Sequence, residues 1–317
     1  MRISVWDRGA LKESSLEELS TGYRKTQWFD ITDPSVEDLE RVAEALKVPR
    51  NALLGKLSSN YPHIDSYPEY TKIFAWYLNT KGTGKDITSD MGPVIVFTNG
   101  RGVVSISQSW IGVSEAVSSE FASPRLALFS PIARVAYLVL SHVIDSYEHF
   151  VDNFEENTEK YEDESPPWSR SFYMEAFIIR REASSLLRLL HHFKRLAEVL
   201  TDGKVELGIS LEERRLFDGV IERAIGAEET TESTRETMQD LIGIHMDVLS
   251  LTMNRTMRLI AALTVIVGVP SLIGALFGSN TMDAPYKLLL WQVVVISGVA
   301  VGILTAFFYV EGWLRIR

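Results

Sequence analysis

Residues 259–277, LIAALTVIVGVPSLIGALF, and residues 288–310, LLLWQVVVISGVAVGILTAFFYV, decide the architecture of this 317-residue chain. Each is roughly 20 residues, enough for a helix to cross a hydrocarbon layer about 30 Å thick. The turn between them, Gly278-Ser279-Asn280-Thr281-Met282-Asp283-Ala284-Pro285, is too short to hold a domain. The pair therefore predicts a helical hairpin through a bilayer, with most of the mass on one side. Basic residues predict the side. Arg255 and Arg258 precede the first apolar stretch, Arg315 and Arg317 follow the second, and the turn region has only Lys287, offset by Asp283. Both ends are expected in the cytoplasm and the turn outside. Tyr286 and Trp291 would anchor the outer interface, Tyr309 and Trp313 the inner one. The beginning, Met1-Arg2-Ile3-Ser4-Val5-Trp6-Asp7, lacks the apolar core and small-residue cleavage site of a secretory signal, so the preceding residues are expected to stay on that side.

The formal charge is −10, and an acidic chain is a poor partner for nucleic acid and a good one for cations. There are no cysteines, which removes disulfides, thiolate metal sites and cysteine nucleophiles. No Gly-rich phosphate loop, nucleophile elbow or paired catalytic acid stands out, so no catalytic residue is assigned and an enzyme is not expected.

Before the apolar tail, short strand and helix patterns alternate. Met1 to Trp6, Gln27 to Ile31 and Tyr70 to Leu78 read as strands, and Val94-Ile95-Val96-Phe97 and Gly102 to Ile106 flank an Asn99-Gly100 turn as a hairpin. Asp33 is expected to cap a helix from Val36 to Leu46, with Pro34 in its first turn. From Pro131 the pattern is helical: Ile132 to Asp163, a stop at Ser165-Pro166-Pro167, then Ser169 to Leu200, closed by Thr201-Asp202-Gly203, together an antiparallel hairpin. Ser210 and Glu213 form a capping box that opens a third helix with no proline until Pro270. Leu241, Ile244, Val248 and Leu251 recur on it with coiled-coil spacing. A single stalk of this length cannot bury both faces on its own domain, which points to self-association.

Along that stalk as it enters the apolar stretch, Asn254, Met257, Ala261, Thr264, Gly268, Ser271 and Ala275 fall three or four residues apart. Leu259, Leu263, Ile266, Leu272 and Leu276 lie between them. Polar atoms inside a bilayer face protein or water. Periodicity leaves two readings open: a packing seam, where small residues let helices approach, or the lining of a pore. Asn280 has two readings as well, a helix C-terminal cap or an oxygen donor at the mouth of that pore.

The tail resembles the CorA-type metal ion transporters, the two-transmembrane Gly-x-Asn superfamily. Asn254-Arg255-Thr256-Met257-Arg258 is similar to its Asn-x-x-Met-Lys stalk signature, followed by Leu263-Thr264, Pro270 in mid-span and Gly278-Ser279-Asn280 at the outer end. Trp28-Phe29-Asp30-Ile31-Thr32-Asp33-Pro34 and the aromatic-rich Tyr67 to Leu78 resemble its N-terminal region, so the likeness runs the length of the chain. It implies a funnel-shaped homopentamer whose first span lines a central pore for divalent ions, Mg²⁺ first, with Co²⁺ and Ni²⁺ as further cargo. It also implies intracellular divalent ions as regulators between cytoplasmic domains; no covalent cofactor is expected. Gly278, Ser279 and Asn280 would form the selectivity filter, with Asn280 meeting the metal through its hydration shell. Asn254 would add a polar ring at the inner end, and Met257 and Ile260 an apolar constriction. Asp283 would be the acidic residue of the outer turn. Ser279 departs from the family's usual Gly-Met-Asn, which opens the ion to Zn²⁺ and the branch to ZntB.

Mg²⁺ prefers oxygen and sheds its water reluctantly. A ring of amide and carbonyl oxygens can hold that water without the grip of carboxylates, and conduction needs such weak binding. Asp247 is read as a cation attractor at the inner mouth. Glu155, Glu156, Glu159, Glu162, Asp163 and Glu164 read first as a solvated helix tip and second as a cation concentrator. The six histidines form no His-x₃-His or HExxH pair and read as packing or surface residues; His245, on the stalk seam, is the one nearest the mouth. The expected order is an α/β N-terminal cytoplasmic domain at 1–130, a helical hairpin at 131–209 and a long helical stalk at 210–258. Two C-terminal transmembrane helices at 259–277 and 288–310 then enclose an outer loop at 278–287, before a cytoplasmic tail at 311–317. Expected partners are divalent ions, the lipid bilayer and further copies of the chain, with no nucleic acid.

Overall fold

The computed structural model describes residues 1–7, 9–21, 28–50, 53, 61–79, 91–98, 102–164, 166–169, 171–203, 205, 207–278 and 289–314. They form two compact units, one of Met1–Ser165 with Ser169–Leu241, the other of Pro166–Trp168 with Ile242–Arg317.

The first unit is built on strands β1 (Arg2–Asp7), β2 (Ala10–Ser14), β3 (Trp28–Thr32), β4 (His63–Ser66), β5 (Thr71–Leu78), β6 (Met91–Thr98) and β7 (Val103–Ser107). They make one sheet in the order β2-β1-β3-β7-β6-β5-β4. Every pairing is antiparallel except β3 with β7. The β6–β7 pair is the hairpin expected from sequence; its turn, 99–101, lies outside the described residues.

Side chains alternate across a strand. In β3, Phe29 and Ile31 join a core with Leu19 of α1 (Leu16–Thr21) and Leu39, Val42, Ala43 and Leu46 of α2 (Val36–Leu46). Trp28 and Asp30 alternate with them, and the Trp28 ring lies 5.3 Å from Phe121 of α3 (Val113–Phe121). Arg134 of α4 (Pro131–Asp163) sits over Phe121, 4.1 Å from the ring centre. Asp30 is fully buried and accepts from Ser105, Ser114 and Thr32. Burial outweighs these donors and raises its carboxyl above the ordinary range.

The cap of α2 differs from expectation. Ser35, not Asp33, is the N-cap: its hydroxyl accepts from the Asp38 amide while the Asp38 carboxylate accepts from Ser35 N–H. This reciprocal capping box places Pro34 outside the helix. Asp33 instead takes a left-handed backbone, φ 50°, and accepts the Ser109 N–H at 2.8 Å, tying the end of β3 to the turn after β7.

α4 and α5 (Phe172–Asp202) run antiparallel, since Tyr161 meets Phe172 at 4.8 Å beside the connection and Tyr147 meets Phe193 at 5.5 Å farther from it. α5 begins at Phe172 rather than Ser169 and ends at Gly203, whose φ of 71° suits a residue without Cβ. α6 (Leu211–Arg214) opens with the expected Ser210–Glu213 box. Glu213 also accepts the Ser130 N–H at the start of α4. Burial opposes the charge on Glu213, yet the Ser210 and Ser130 donors hold its carboxyl below the usual value. A 3-10 turn, Arg215–Phe217, then leads into α7 (Asp218–Gly278). Its 61 residues rise about 90 Å at 1.5 Å each.

Within the first unit, Phe217, Val220, Ala224, Ala227, Thr231, Thr234, Met238 and Leu241 are all buried, at alternating steps of three and four. The Thr231 and Thr234 hydroxyls are absorbed by the carbonyls four residues back. Arg223 binds Asp145 and Glu148, and Lys194 binds Glu228. In the second unit the covered positions continue through His245 and Val248, while Ile244 and Leu251 of the expected seam are exposed. Trp168 stacks on His245 at 5.7 Å. The second apolar helix is α8 (Leu290–Val310).

Candidate ion pathway

α7 and α8 are both long and apolar enough to cross a membrane, yet only 6% of the most apolar window of each is buried. A helix that is greasy all round and uncovered by its own chain needs another apolar surrounding. Each helix does shield one stripe. On α7 it comprises Leu259, Ala262, Ile266, Val269, Pro270 and Ile273; on α8, Val293, Ser297, Ala300, Val301, Leu304 and Phe308. Both stripes have the spacing of a helix–helix contact. Leu259 and Ile266 belong to this shielded face, whereas Leu263, Leu272 and Leu276 are exposed.

The residues singled out as a lining lie on the uncovered remainder of α7. Asn254, Met257, Ile260, Ala261, Thr264, Gly268, Ser271 and Ala275 are all exposed, as is Asp247 two turns before Asn254. Met257 and Ile260 keep 61% and 56% of their surface. Thr264 donates to the Ile260 carbonyl and Ser271 to the Val267 carbonyl, both at 2.8 Å. With its hydrogen turned back into the helix, each hydroxyl offers its outward oxygen as an acceptor. Such oxygens suit the water hydrogens of a hydrated cation. Pro270 has no N–H, so the helix supplies no donor to the Ile266 carbonyl. Gly268 has nothing within 4 Å of an added Cβ, so no contact within the chain calls for glycine there.

Gly278 is the last residue of α7. Ser279, Asn280 and Asp283 lie outside the described residues, as do Tyr286, Lys287, Arg315 and Arg317. Among the described residues no three His, Asp or Glu side chains gather as a metal cage. At the end of α4, Glu155, Glu156, Glu159, Glu162, Asp163 and Glu164 are all exposed, while Phe154 and Thr158 between them are buried. Five of the histidines have identifiable packing or hydrogen-bonding roles. His142 meets the Ile111 carbonyl and stacks on Tyr77; His192 stacks on Tyr61; His149 lies edge-on to Phe150; His63 hydrogen-bonds the Tyr61 carbonyl; His245 stacks on Trp168. His191 is exposed, 3.5 Å from Glu228.

The sequence profile of the CorA-like Mg²⁺ transporter protein family matches residues 23–310. The chain belongs to that family. It is a family of membrane transporters and not of enzymes, and the two apolar helices are the part such a protein would place in the bilayer. The cobalt/magnesium transport protein CorA of Methanocaldococcus jannaschii is similar at 20% identity, over 98% of this chain and 99% of that one. The complete structure of the CorA magnesium transporter from the same organism superposes with a TM-score of 0.81, at 19% identity and 99% coverage of both chains. The cytoplasmic domain of ZntB from Vibrio parahaemolyticus matches with a TM-score of 0.61, at 11% identity, over 79% of this chain and 98% of that domain. The fold is thus that of CorA: a mixed α/β N-terminal part, a long helix and two C-terminal apolar helices.

Sequence patterning located the uncovered stripe of α7 but missed the division of its apolar residues into shielded and exposed faces. The signal was available: Ala262, Ile266 and Val269 continue the three-and-four spacing of the buried stripe from Leu241 through His245 and Val248. It was obscured because leucines and valines occupy the uncovered faces as well.

Proposed function

We propose that this chain assembles as a homo-oligomer, a pentamer by its family resemblance, and passes hydrated Mg²⁺ along an axis lined by α7. The observation that carries the reading is the uncovered stripe from Asn254 to Ala275. It is small and weakly polar, its hydroxyls present oxygen, and Gly268 has no contact in its own chain that requires it. Further copies of α7 around an axis would supply both the missing neighbours and the water-filled path. Asn254 would ring the inner end, Met257 and Ile260 would form a constriction that closes by dewetting, and Asp247 would draw cations to the mouth. Gly278, Ser279 and Asn280 would filter at the outer end, with Asp283 nearby. Both termini would lie in the cytoplasm. An inside-negative potential supplies the driving force, about 4.6 kcal/mol per 100 mV for a divalent ion.

Ser279 favours one second reading, proton-coupled Zn²⁺ transport of the ZntB kind. The deciding experiment is Mg²⁺ and Zn²⁺ entry into liposomes under an inside-negative potential, with and without a pH gradient, beside Asn280→Ala. Mg²⁺ flux lost in the variant supports the pore. Zn²⁺ flux that needs the pH gradient moves the chain to the second reading. Absence of both from well-formed oligomers sinks transport and leaves a membrane-anchored sensor or scaffold.

A further inference from the structure

Two helices of the first unit leave long faces uncovered, and the charges on those faces are opposite. On α5 the exposed residues from Phe177 to Arg195 are Phe177, Arg181, Arg188, His191 and Arg195, with no carboxylate among them. On α7 the exposed residues from Glu222 to Asp240 include Glu222, Glu229, Glu236 and Asp240, and no lysine or arginine. Each face also carries an uncovered apolar side chain, Phe177 at 52% exposure and Ile225 at 38%. Ile225, Glu229 and Glu236 line a groove of about 450 Å³ whose one cation, Lys194, is already bound to Glu228. None of Glu222, Glu229, Glu236, Arg188 and Arg195 takes part in a described ion pair, and the described partner of Arg181 is its neighbour Glu182.

Both charge series repeat every seventh residue, Arg181, Arg188 and Arg195 on α5 and Glu222, Glu229 and Glu236 on α7. Seven residues are nearly two turns, so each series keeps to one face with its members about 10 Å apart. At 3.6 residues per turn each series lies opposite the buried stripe of its own helix, which is why the two do not pair within one chain. The helices run in opposite directions, because Gly203 at the end of α5 meets Arg214 just before α7, while His191, farther back on α5, lies 3.5 Å from Glu228. Counted along both helices from that second contact, Arg195, Arg188 and Arg181 stand within about one turn of the heights of Glu222, Glu229 and Glu236. A rotation about an axis running along α7 leaves heights unchanged. The arginines of one copy therefore arrive level with the glutamates of the next, and no sliding is needed to pair them.

We propose that these two faces form a contact between neighbouring copies of the chain: α5 of one copy lies on α7 of the next, with Arg181, Arg188 and Arg195 opposite Glu236, Glu229 and Glu222. Phe177 and Ile225 add apolar area. Because the two surfaces differ, the contact is head-to-tail and closes into a ring instead of stopping at a dimer. It rests on the self-association proposed above and supplies a surface for it outside the apolar helices. Exposed ion pairs each add little affinity; a matched series instead sets partner and register.

The chain has no cysteine, so introduced thiols are read without background. In the full-length protein in detergent, Arg188→Cys and Glu229→Cys made in one chain should be joined by a short bis-maleimide into a ladder of products on a denaturing gel, up to the complete ring. Either substitution alone should give no dimer, and co-expression of the two single variants should give one. Adding Glu222→Arg and Glu236→Arg to the double-cysteine chain should cut the ladder several-fold, and adding Arg181→Glu and Arg195→Glu to that should restore it. An oligomer by light scattering that yields no ladder, a dimer from either single variant, or a ladder indifferent to the charge reversals would overturn this contact and leave self-association standing. A monomer by light scattering would remove both.

Discussion

One helix, α7, lives in two solvents. From Asp218 to Leu241 most of its apolar residues form a single stripe that its own unit buries, with Ile225 outside it and exposed, and the remaining faces carry the charged residues. From Leu259 to Phe277 apolar residues occupy most of its circumference, and most stay exposed. In the upper half the hydrophobic period matches the 3.5-residue step of a packed seam. In the lower half a covered stripe continues at steps of three and four, but the uncovered faces are largely apolar too, as lipid permits. The contrast shows which faces the chain covers for itself and which it leaves uncovered.

The largest expected effect breaks that contrast directly. Ala224→Asp puts a charge into the buried stripe, where Ala224 has no exposed surface. It should destabilise the first unit by about 3–5 kcal/mol in denaturant unfolding, as an uncompensated buried charge does. Leu263→Asp, on an exposed leucine of the same helix, should leave that transition in place and instead impair membrane insertion, at a cost of about 2.5–3.5 kcal/mol. Matching losses of unfolding stability in the two variants would remove the distinction between the halves.

Next in size is Glu213→Gln, expected to cost about 1–3 kcal/mol by weakening two buried amide contacts. Its pH signature has a defined sign. The folded carboxyl lies below its ordinary value of 4.5, so the stabilisation is fully present above that pH and is lost as pH falls through the folded value. Stability curves of wild type and variant should therefore converge in acid; parallel curves would mean that the charge is not what holds the two helix starts.

Gly203→Ala should cost about 1 kcal/mol or more in denaturant unfolding, because the backbone there is left-handed and the new Cβ displaces the Arg214 guanidinium. The smallest effect on stability belongs to Thr264→Val, within about 0.5 kcal/mol in unfolding. Mg²⁺ flux should nonetheless fall, since an outward oxygen is replaced by a methyl group. Unchanged flux would take Thr264 out of the lining.

Much of this molecule was legible in its sequence, and the limits have physical causes. Five of the seven strands were read from β-rich runs and a hairpin turn, whereas β2 and β4, short and polar at the sheet edges, were not; the Ser210–Glu213 box showed by a local spacing that two hydrogen bonds require. The start of α2 was misread because Pro34 at the first turn and Ser35 at the cap are both good helix openings, and only the Asp38 carboxylate decides between them. The stripe from Asn254 to Ala275 was visible as a period, but its exposure was not. Contacts between residues far apart in the chain, such as the Arg214 guanidinium against Gly203, gave no signal, because no local spacing encodes them. The second partner of Glu213, Ser130, was hidden for the same reason.

That last contact also bears on the order in which the protein comes into being. The Ser130 amide and the Glu213 carboxylate are 83 residues apart in the chain. At roughly 5–20 residues per second of synthesis, the start of α4 waits on the order of 4–16 s on the ribosome before its acceptor is made. Glu213 arrives before any residue of either apolar helix. The clasp can therefore close while the apolar segments are still untranslated, so the water-soluble half has its own timetable and need not wait for the membrane.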